Sequence, residues 1–214
     1  MKRIIASLLV SFGLLAGASH AREDAGAELY DAAAPADSAF VRVLNLSDGR
    51  VRAMLGGKNQ AQQIAAGQLG GYRFTAPGKV HLDVEGQSTS VDLAANTANT
   101  FVYDGSSLRL LQDAFINEPK KAQVGFYNLS GQTLSLKTAD GKHAIVDSVA
   151  AGQNGSRMVN ELKIAFAAYQ GEQKIADFPE VFLKKGRTYS YLILPAGSDG
   201  VRALSMANGL DPLD

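Results

Sequence analysis

The chain has 214 residues, with 21 lysines and arginines against 21 aspartates and glutamates, and it contains no cysteine. This balanced charge argues against the class of proteins that hold nucleic acid on a surface rich in Lys and Arg. The lack of cysteine excludes a fold held together by disulfides, so the core must be stable through packing alone.

The first 21 residues have the order of a secretory signal peptide. Lys2 and Arg3 form a basic start, residues 4–16 are almost wholly apolar, and small residues precede a cleavage site after Ala21. Without Lys2 and Arg3 the mature chain keeps 19 basic and 21 acidic residues, a net charge of about −2. Together with the absence of cysteine, this predicts export to a bacterial periplasm rather than secretion from a eukaryotic cell.

After the signal peptide, residues 22–37 are rich in alanine and include Pro35, which predicts a flexible leader. The chain then repeats itself. The stretch FVRVLNLSDG starts at Phe40, and QVGFYNLSGQ starts at Gln123. Further matches follow in the same order: residues 65–68 with 150–153, 79–82 with 163–166, 100–103 with 188–191, and 108–111 with 201–204. Two copies of a unit this long indicate tandem domains rather than a solenoid.

Each copy has the pattern of short strands. Val41 and Val43 alternate with other residues, as strands with one buried face do, and turn residues recur every eight to twelve positions. Hairpin turns are predicted at Glu85-Gly86 and at Gln170-Gly171. The fold class is therefore all-β, with two tandem immunoglobulin-like antiparallel β-sandwich domains that arise from internal duplication. The predicted boundaries are domain 1 at 38–114, a linker at 115–121, domain 2 at 122–206, and a flexible tail at 207–214.

The residues do not form a recognisable catalytic constellation. His81 alternates with Val80 and Leu82 in a strand, and His143 lies at a hairpin tip, so we expect both to be ordinary surface histidines. There is no G-x-S-x-G elbow, and neither Gly-rich stretch has the strand-to-helix context of a phosphate loop. The paired carboxylates of Asp83 and Glu85 fit a solvated strand end better than acid–base work. We predict no catalytic, cofactor-binding or metal-binding residue.

Three Asn-x-Ser sites occur, at Asn45, Asn128 and Asn154. The first two occupy the same place in the repeat, where an Asn side chain closes a turn, and this interpretation is favoured over glycosylation. Tyr103 and Tyr191 are also matched by the repeat, which favours packing over a sugar-binding platform.

The stretch AELYDAAAPADSAFVRVLNLS resembles the AlgF family in Leu29-Tyr30, the Ala/Pro segment and residues 38–43 followed by Asn45. The resemblance implies a non-catalytic periplasmic adapter in the O-acetylation of alginate at mannuronate residues. Its implied partners are an AlgI-type membrane O-acyltransferase and AlgJ- and AlgX-type SGNH-like acetyltransferases of the periplasm. The polysaccharide is a further candidate partner, and no partner-binding residue is assigned.

Three other functions stay open at this point. One is an accessory polysaccharide-binding module, or an adapter for another acetylated polymer such as cellulose, and it needs exposed aromatics or a polar groove. A pilus-type chaperone also has two sandwich domains, but its domains are not near-copies. An acetyl carrier or enzyme needs an activated Ser or Thr.

Overall fold

A computed structural model describes residues 34–115, 118–197 and 200–211. This part of the chain is all-β, and its eighteen strands divide between two sandwiches. The first sandwich contains β1 (Ala39–Asn45), β2 (Val51–Leu55), β3 (Gln62–Ile64), β4 (Arg73–Thr75), β5 (Gly78–Val84), β6 (Gln87–Leu93), β7 (Ala98–Tyr103) and β8 (Leu108–Asp113). The second contains β9 (Ala122–Asn128), β10 (Leu134–Thr138), β11 (Ala144–Val149), β12 (Gln153–Val159), β13 (Leu162–Ile164), β14 (Phe166–Gln170), β15 (Gln173–Asp177), β16 (Val181–Leu183), β17 (Thr188–Ala196) and β18 (Gly200–Ala207).

Each sandwich packs two four-stranded sheets around its own core. In the first, the sheets have the orders β4-β1-β7-β8 and β3-β2-β5-β6. In the second, the orders are β12-β9-β17-β18 and β11-β10-β14-β15, with β13 and β16 as an additional pair. Alternate side chains of facing strands fill the cores, such as Val43, Leu55 and Phe101 in the first and Phe126 and Tyr191 in the second. The predicted fold class of two tandem sandwiches is confirmed.

One detail differs from a wholly antiparallel arrangement, because each sandwich has one parallel pair. β1 runs parallel to β7, and β9 runs parallel to β17. The hairpin signals in the sequence fix only the direction of strands that follow one another. β1 and β7 are joined through five intervening strands, so no tight turn constrains their relative direction.

The strand registers establish which residues of the two copies are equivalent. Val43 lies opposite Phe101 in the first sandwich, and Phe126 lies opposite Tyr191 in the second. Phe101 therefore corresponds to Tyr191, and the predicted equivalence of Tyr103 with Tyr191 is wrong by two residues. Both tyrosines are nevertheless buried in a core, as expected, because a shift of two residues keeps a side chain on the same face of a strand.

The repeated Asn residues close equivalent turns. Asn45 Nδ2 donates to the carbonyls of Gly49, at 2.7 Å, and Ile64, at 3.1 Å. Asn128 Nδ2 does the same with Gln132, at 2.6 Å, and Val149, at 2.9 Å.

In both copies the Oδ1 atom of this Asn accepts bonds from the backbone and the hydroxyl of the Ser two residues on. Asn45 and Asn128 are fully buried, with 0% exposure, so the turn-closing role is confirmed and neither amide is available to a glycan. The hairpin turn at Glu85-Gly86 is also confirmed, with φ of 50° and 83°.

The flexible tail predicted at 207–214 is wrong for residues 207–211. Ala207 ends β18, and Leu210 forms a parallel bridge with Tyr72 of the first sandwich. Asp211 is 5% exposed. The segment is ordered because its polar side chains find buried partners in the other sandwich. The predicted signal peptide at 1–21, residues 22–33 of the predicted leader, and residues 212–214 lie outside the described residues. The described residues contain no helix with the length and apolar character of a membrane span.

Candidate functional site

The two sandwiches contact each other through the outer faces of two strand pairs. One pair is β1 with β7, and the other is β9 with β17. These four strands are therefore buried on both faces, and β7 is buried at every position. An apolar cluster at the contact joins Leu44 and Val102 of the first sandwich to Leu192 and Leu194 of the second. Burial of this apolar area stabilises the two copies as one body.

A buried arginine lies beside this cluster. Arg42 is 2% exposed, and its Nε atom donates to Thr100 Oγ1 at 2.9 Å within its own sandwich. Its other donors cross to the second sandwich. Nη2 donates to the Tyr127 hydroxyl at 2.7 Å and to Ser190 Oγ at 3.1 Å, and Nη1 donates to Asn208 Oδ1 at 2.8 Å. One side chain of β1 thus binds β9, β17 and the C-terminal segment.

Asp113, at the end of β8, supplies the countercharge. Its Oδ2 atom lies 3.8 Å from Arg42 Nη2 and accepts bonds from Thr100 Oγ1 at 2.6 Å and the Tyr72 hydroxyl at 2.7 Å. Its Oδ1 atom accepts bonds from the second sandwich, from the Tyr127 hydroxyl at 2.8 Å and from Asn154 Nδ2 at 3.1 Å. The buried carboxylate is therefore fully hydrogen-bonded, as a stable buried charge requires.

The electrostatics of this network keep the arginine charged and the tyrosines neutral. Burial alone would lower the pKa of Arg42, but the neighbouring Tyr127, Tyr72 and Asp113 hold it above its ordinary value. Burial raises the pKa of Tyr127 to about 12, and burial also raises the pKa of Tyr72 well above its ordinary value. The Arg42 guanidinium lies 4.2 Å from the centre of the Tyr72 ring, which adds a cation–π contact.

Two further arginines make contacts across the interface in opposite directions. Arg109 of β8 donates to the carbonyl of Gly152 in the second sandwich. In return, Arg202 of β18 donates to the carbonyl of Gly67 in the first, at 2.6 Å. Gly67 and Gly152 are equivalent in the repeat, since each N–H donates at 2.7 Å to the carbonyl of the turn-closing Asn45 or Asn128. The two copies therefore exchange one reciprocal pair of arginine contacts, although the strand registers match Arg109 with Leu204 rather than with Arg202.

The histidines lie where the sequence predicts. His81 and His143 are both exposed, in β5 and in the β10–β11 hairpin turn. His81 Nδ1 lies 3.2 Å from the hydroxyl of Ser90, its cross-strand neighbour. Ser90 is exposed as well, so this pair stands on an open sheet face rather than in a pocket. Within the described ranges, no group of three or more His, Asp or Glu side chains has the arrangement of a metal site.

The paired carboxylates also have structural partners. Asp83 accepts bonds from Ser88 Oγ at 2.6 Å and from the Gly86 N–H at 3.1 Å, and the Ser88 hydrogen bond is the main reason why its pKa is lowered. Glu85 Oε1 accepts a bond from the Arg52 N–H at 2.5 Å. Asp83 therefore closes the turn of the β5–β6 hairpin, and Glu85 joins that turn to β2.

Five tyrosines, including Tyr103 and Tyr191, lie within the cores or at the interdomain contact. Tyr103, Tyr127, Tyr169, Tyr189 and Tyr191 are each at most 7% exposed. A shallow cleft of about 110 Å³ occurs elsewhere, beside the linker, and it is lined by Glu118, Pro119, Lys121, Gln123, Met158, Gly186, Arg187 and Thr188.

Two features of the surface and the interdomain contact were not predicted from the sequence. Arg42 is the centre of the interdomain network, and the only local signal was a charged residue between Val41 and Val43 in an apolar strand. Phe182 of β16 is 47% exposed, and no local pattern distinguishes it from a core residue, because it lies between Val181 and Leu183.

The fold and this contact define a class: duplicated β-sandwich proteins whose two copies are joined by a buried polar and apolar interface. The chain belongs to the AlgF family, since the family model described as alginate O-acetyl transferase AlgF matches residues 11–190. The alginate biosynthesis protein AlgF of Pseudomonas putida is 34% identical over 196 residues, which cover 91% of each chain.

Solved structures of the two domains of AlgF from Pseudomonas aeruginosa are also similar to parts of the chain. The C-terminal domain covers 42% of this chain and 99% of its own length, at 32% identity and a TM-score of 0.38. The N-terminal domain covers 38% of this chain and 100% of its own length, at 24% identity and a TM-score of 0.33.

Proposed function

We propose that this protein is a non-catalytic adapter of the periplasm that is required for the O-acetylation of alginate at mannuronate residues. It links an AlgI-type membrane O-acyltransferase to the AlgJ- and AlgX-type acetyltransferases of the periplasm. Membership of the AlgF family, whose relatives are named for alginate biosynthesis, supports the pathway.

The observation that carries the adapter role is the buried contact between the sandwiches. Arg42 and Asp113 exchange hydrogen bonds with both copies, so the contact fixes the two sandwiches as one body. A linker of two rigidly joined domains presents its surfaces at a set distance and orientation, which lowers the entropic cost of holding two partners together.

The His81–Ser90 contact resembles one part of an activated serine nucleophile. In an activated Ser nucleophile the base is itself oriented by a third group, and hydrogen-bond donors surround the reacting carbonyl. Here Asp83, the nearest carboxylate along the strand, is engaged by Ser88 and Gly86. The pair fits an exposed cross-strand hydrogen bond that contributes to the β5–β6 hairpin.

Gene deletion tests the function directly. A strain without this gene is expected to make polymer that lacks ester acetate, measured by NMR of the purified polysaccharide. Complementation with wild type restores the acetate, and complementation with His81→Ala/Ser90→Ala restores it equally. Failure of that double variant, at normal protein levels, would instead point to an enzyme. Polymer that stays acetylated in the deletion strain would refute the requirement.

The periplasmic location rests on the signal peptide predicted at 1–21. We expect the protein in the periplasmic fraction with a mature chain that starts at Arg22, measured by intact mass. A chain that keeps its first 21 residues would contradict cleavage after Ala21.

A further inference from the structure

A turn in the first sandwich provides an internal reference for a surface of the second. Residues 94–97 connect β6 to β7. Asn96 has a φ of 56°, and its N–H donates to the carbonyl of Ser38 at 3.0 Å. The N–H of Phe40 donates to the carbonyl of Thr97 at 2.8 Å. These bonds hold the turn against the start of β1.

The second sandwich builds the same turn at residues 184–187, between β16 and β17. Gly186 has a φ of 71°, and its N–H donates to the carbonyl of Lys121 at 2.8 Å. The N–H of Gln123 donates to the carbonyl of Arg187 at 3.0 Å. The backbone geometry is thus common to both copies, and any difference in side chains is not required by the fold.

The side chains at this turn differ strongly in charge. The first sandwich carries one acidic and four neutral residues: Asp37, Ser38, Ala94, Ala95 and Thr97. At the equivalent positions the second sandwich carries five cations, all exposed: Lys120, Lys121, Lys184, Lys185 and Arg187.

An aromatic side chain adjoins these cations. In the first sandwich Asp92 lies opposite Lys79 across the hairpin, whereas in the second Phe182 lies opposite Lys163. Phe182 is 47% exposed, the largest exposure among the large hydrophobic side chains described. We call the five cations together with Phe182 the linker-end patch.

The two carboxylates beside the patch are fewer than its cations and bind backbone N–H groups. Glu118 Oε1 accepts a bond from the backbone N–H of Lys120 at 3.0 Å, and Glu161 Oε2 accepts one from the backbone N–H of Lys185 at 3.1 Å. Glu180 pairs with Lys163 at 2.7 Å, on the strands that carry Phe182. Five cations against two carboxylates leave this end of a near-neutral chain positively charged.

We propose that the linker-end patch is the docking surface for an acidic protein surface, with Phe182 as the apolar anchor and the cations as the polar rim. This inference rests on the proposed adapter function and assigns its contact with a periplasmic acetyltransferase to the second sandwich. An exposed aromatic beside charged residues is a combination that protein–protein hot spots use. The cations add steering and discrimination more than affinity.

The shape of the patch favours a protein over a polyuronate chain. Pockets that enclose small ligands typically have about 300–1,000 Å³. The cleft beside the linker has only about 110 Å³. The cations lie on two turns that share backbone hydrogen bonds, which makes a compact cluster rather than a line matched to the spacing of a polymer.

Binding of the full mature chain to purified AlgX- and AlgJ-type acetyltransferases of the same bacterium tests the inference. The dissociation constants are measured by interferometry at low and at high salt. Lys184→Ala/Lys185→Ala/Arg187→Thr installs the residues of the first sandwich and keeps Gly186. We expect this variant, and separately Phe182→Ala, to weaken binding of one acetyltransferase about tenfold or more. Binding by wild type is expected to weaken as salt rises.

Matched controls remove similar groups elsewhere. Leu110→Ala truncates another hydrophobic side chain, which is 38% exposed. Arg50→Ala/Lys79→Ala/Lys142→Ala removes three exposed cations outside the patch. Both controls are expected to bind within about twofold of wild type. Unchanged circular dichroism and melting temperature establish that each variant is folded.

The outcomes separate the two proposals. If wild type binds neither acetyltransferase, the adapter function itself is refuted. If wild type binds and the patch variants bind equally well, the adapter function stands and the docking surface is wrong. If wild type binds oligomannuronate and the patch variants lose that binding while keeping the acetyltransferase, the patch holds the polymer and the inference is overturned.

Discussion

Replacement of Arg42 by Met tests whether the buried network joins the two sandwiches. Met fills much of the same volume but removes every donor. The carboxylate of Asp113 then keeps the bonds from Thr100, Tyr72 and Tyr127 but loses the countercharge at 3.8 Å. Removal of one partner from a buried pair leaves the other charge uncompensated, and this typically costs about 3–5 kcal/mol. We expect Arg42→Met to lower the free energy of unfolding by that amount.

A double-mutant cycle gives the sharper measurement. Asp113→Asn alone is also destabilising, because it removes the charge that balances Arg42. When both charges are absent, neither is left uncompensated, so the double variant should cost less than the sum of the single variants. The coupling energy for residues in one buried network is about 0.5–3 kcal/mol.

Urea unfolding followed by circular dichroism and tyrosine fluorescence supplies the free energies, since the chain has no tryptophan to interfere. Arg52→Met is the matched control, because Arg52 is exposed on β2, and it should change stability by no more than about 0.5 kcal/mol. A cost below about 1 kcal/mol for Arg42→Met, or strict additivity in the cycle, would refute the role assigned to the network.

Three further predictions concern single features of the fold. Asn128→Ala removes a side chain with 0% exposure that donates to two carbonyls and accepts two bonds. It should lower the free energy of unfolding in urea by about 2–4 kcal/mol. Asn128→Asp should not restore the loss, because a carboxylate cannot donate a hydrogen bond. Tyr127 has a pKa of about 12 in the folded state against 10.0 in the unfolded state. Its contribution to the free energy of unfolding is therefore fully present below pH 10 and should fall by about 2–3 kcal/mol as the pH rises toward 12. A free energy of unfolding that stays constant over that window would contradict this. Gly67→Ala should destabilise slightly more than Gly152→Ala. Both glycines have positive φ, of 62° and 74°, but a Cβ at Gly67 would displace the end of the Arg202 side chain and break its bond to the Gly67 carbonyl. Equal melting temperatures of the two variants would count against this contact.

The features that were predictable from the sequence are those fixed by local chemistry. The turn-closing Asn45 and Asn128 and the hairpin at Glu85-Gly86 need only residues within a few positions of one another or of an adjacent strand. The duplication was visible because equivalent turns retain equivalent side chains. Strand direction was not visible, since the parallel β1–β7 pair depends on segments that are distant in the chain.

The register error has a similar origin. Leu82 corresponds to Phe166, but Leu93 corresponds to Leu183, because the second copy has a longer hairpin interrupted at Phe178-Pro179-Glu180. Matching sequence letters across that insertion placed Tyr191 two residues away from its true equivalent.

The interdomain hydrogen-bond network could not be predicted from the sequence for another reason. A strand position that alternates with core residues is ordinarily expected to face solvent, and an Arg there looks solvated. In this protein the second face of β1 is covered by the other copy, and Tyr127, which binds Arg42, lies 85 residues away. The order of the tail was not predicted for the same reason, because Asn208 and Asp211 bind Arg42 and Gln62 of the first sandwich, which are distant in the chain.

Duplication also bears on how the proposed adapter would distinguish its partners. A two-fold dimer of one sandwich would present two identical copies of every surface, and each would bind the same partner. Fusion of the copies in one chain lets them differ, both at the contact, where Arg42 of the first corresponds to Gly125 of the second, and on the outer surfaces. The turn at 94–97 is neutral and the turn at 184–187 is basic, on the same backbone. The interdomain contact then holds two unlike surfaces in a fixed relation, which is the physical requirement for joining two different proteins rather than two copies of one.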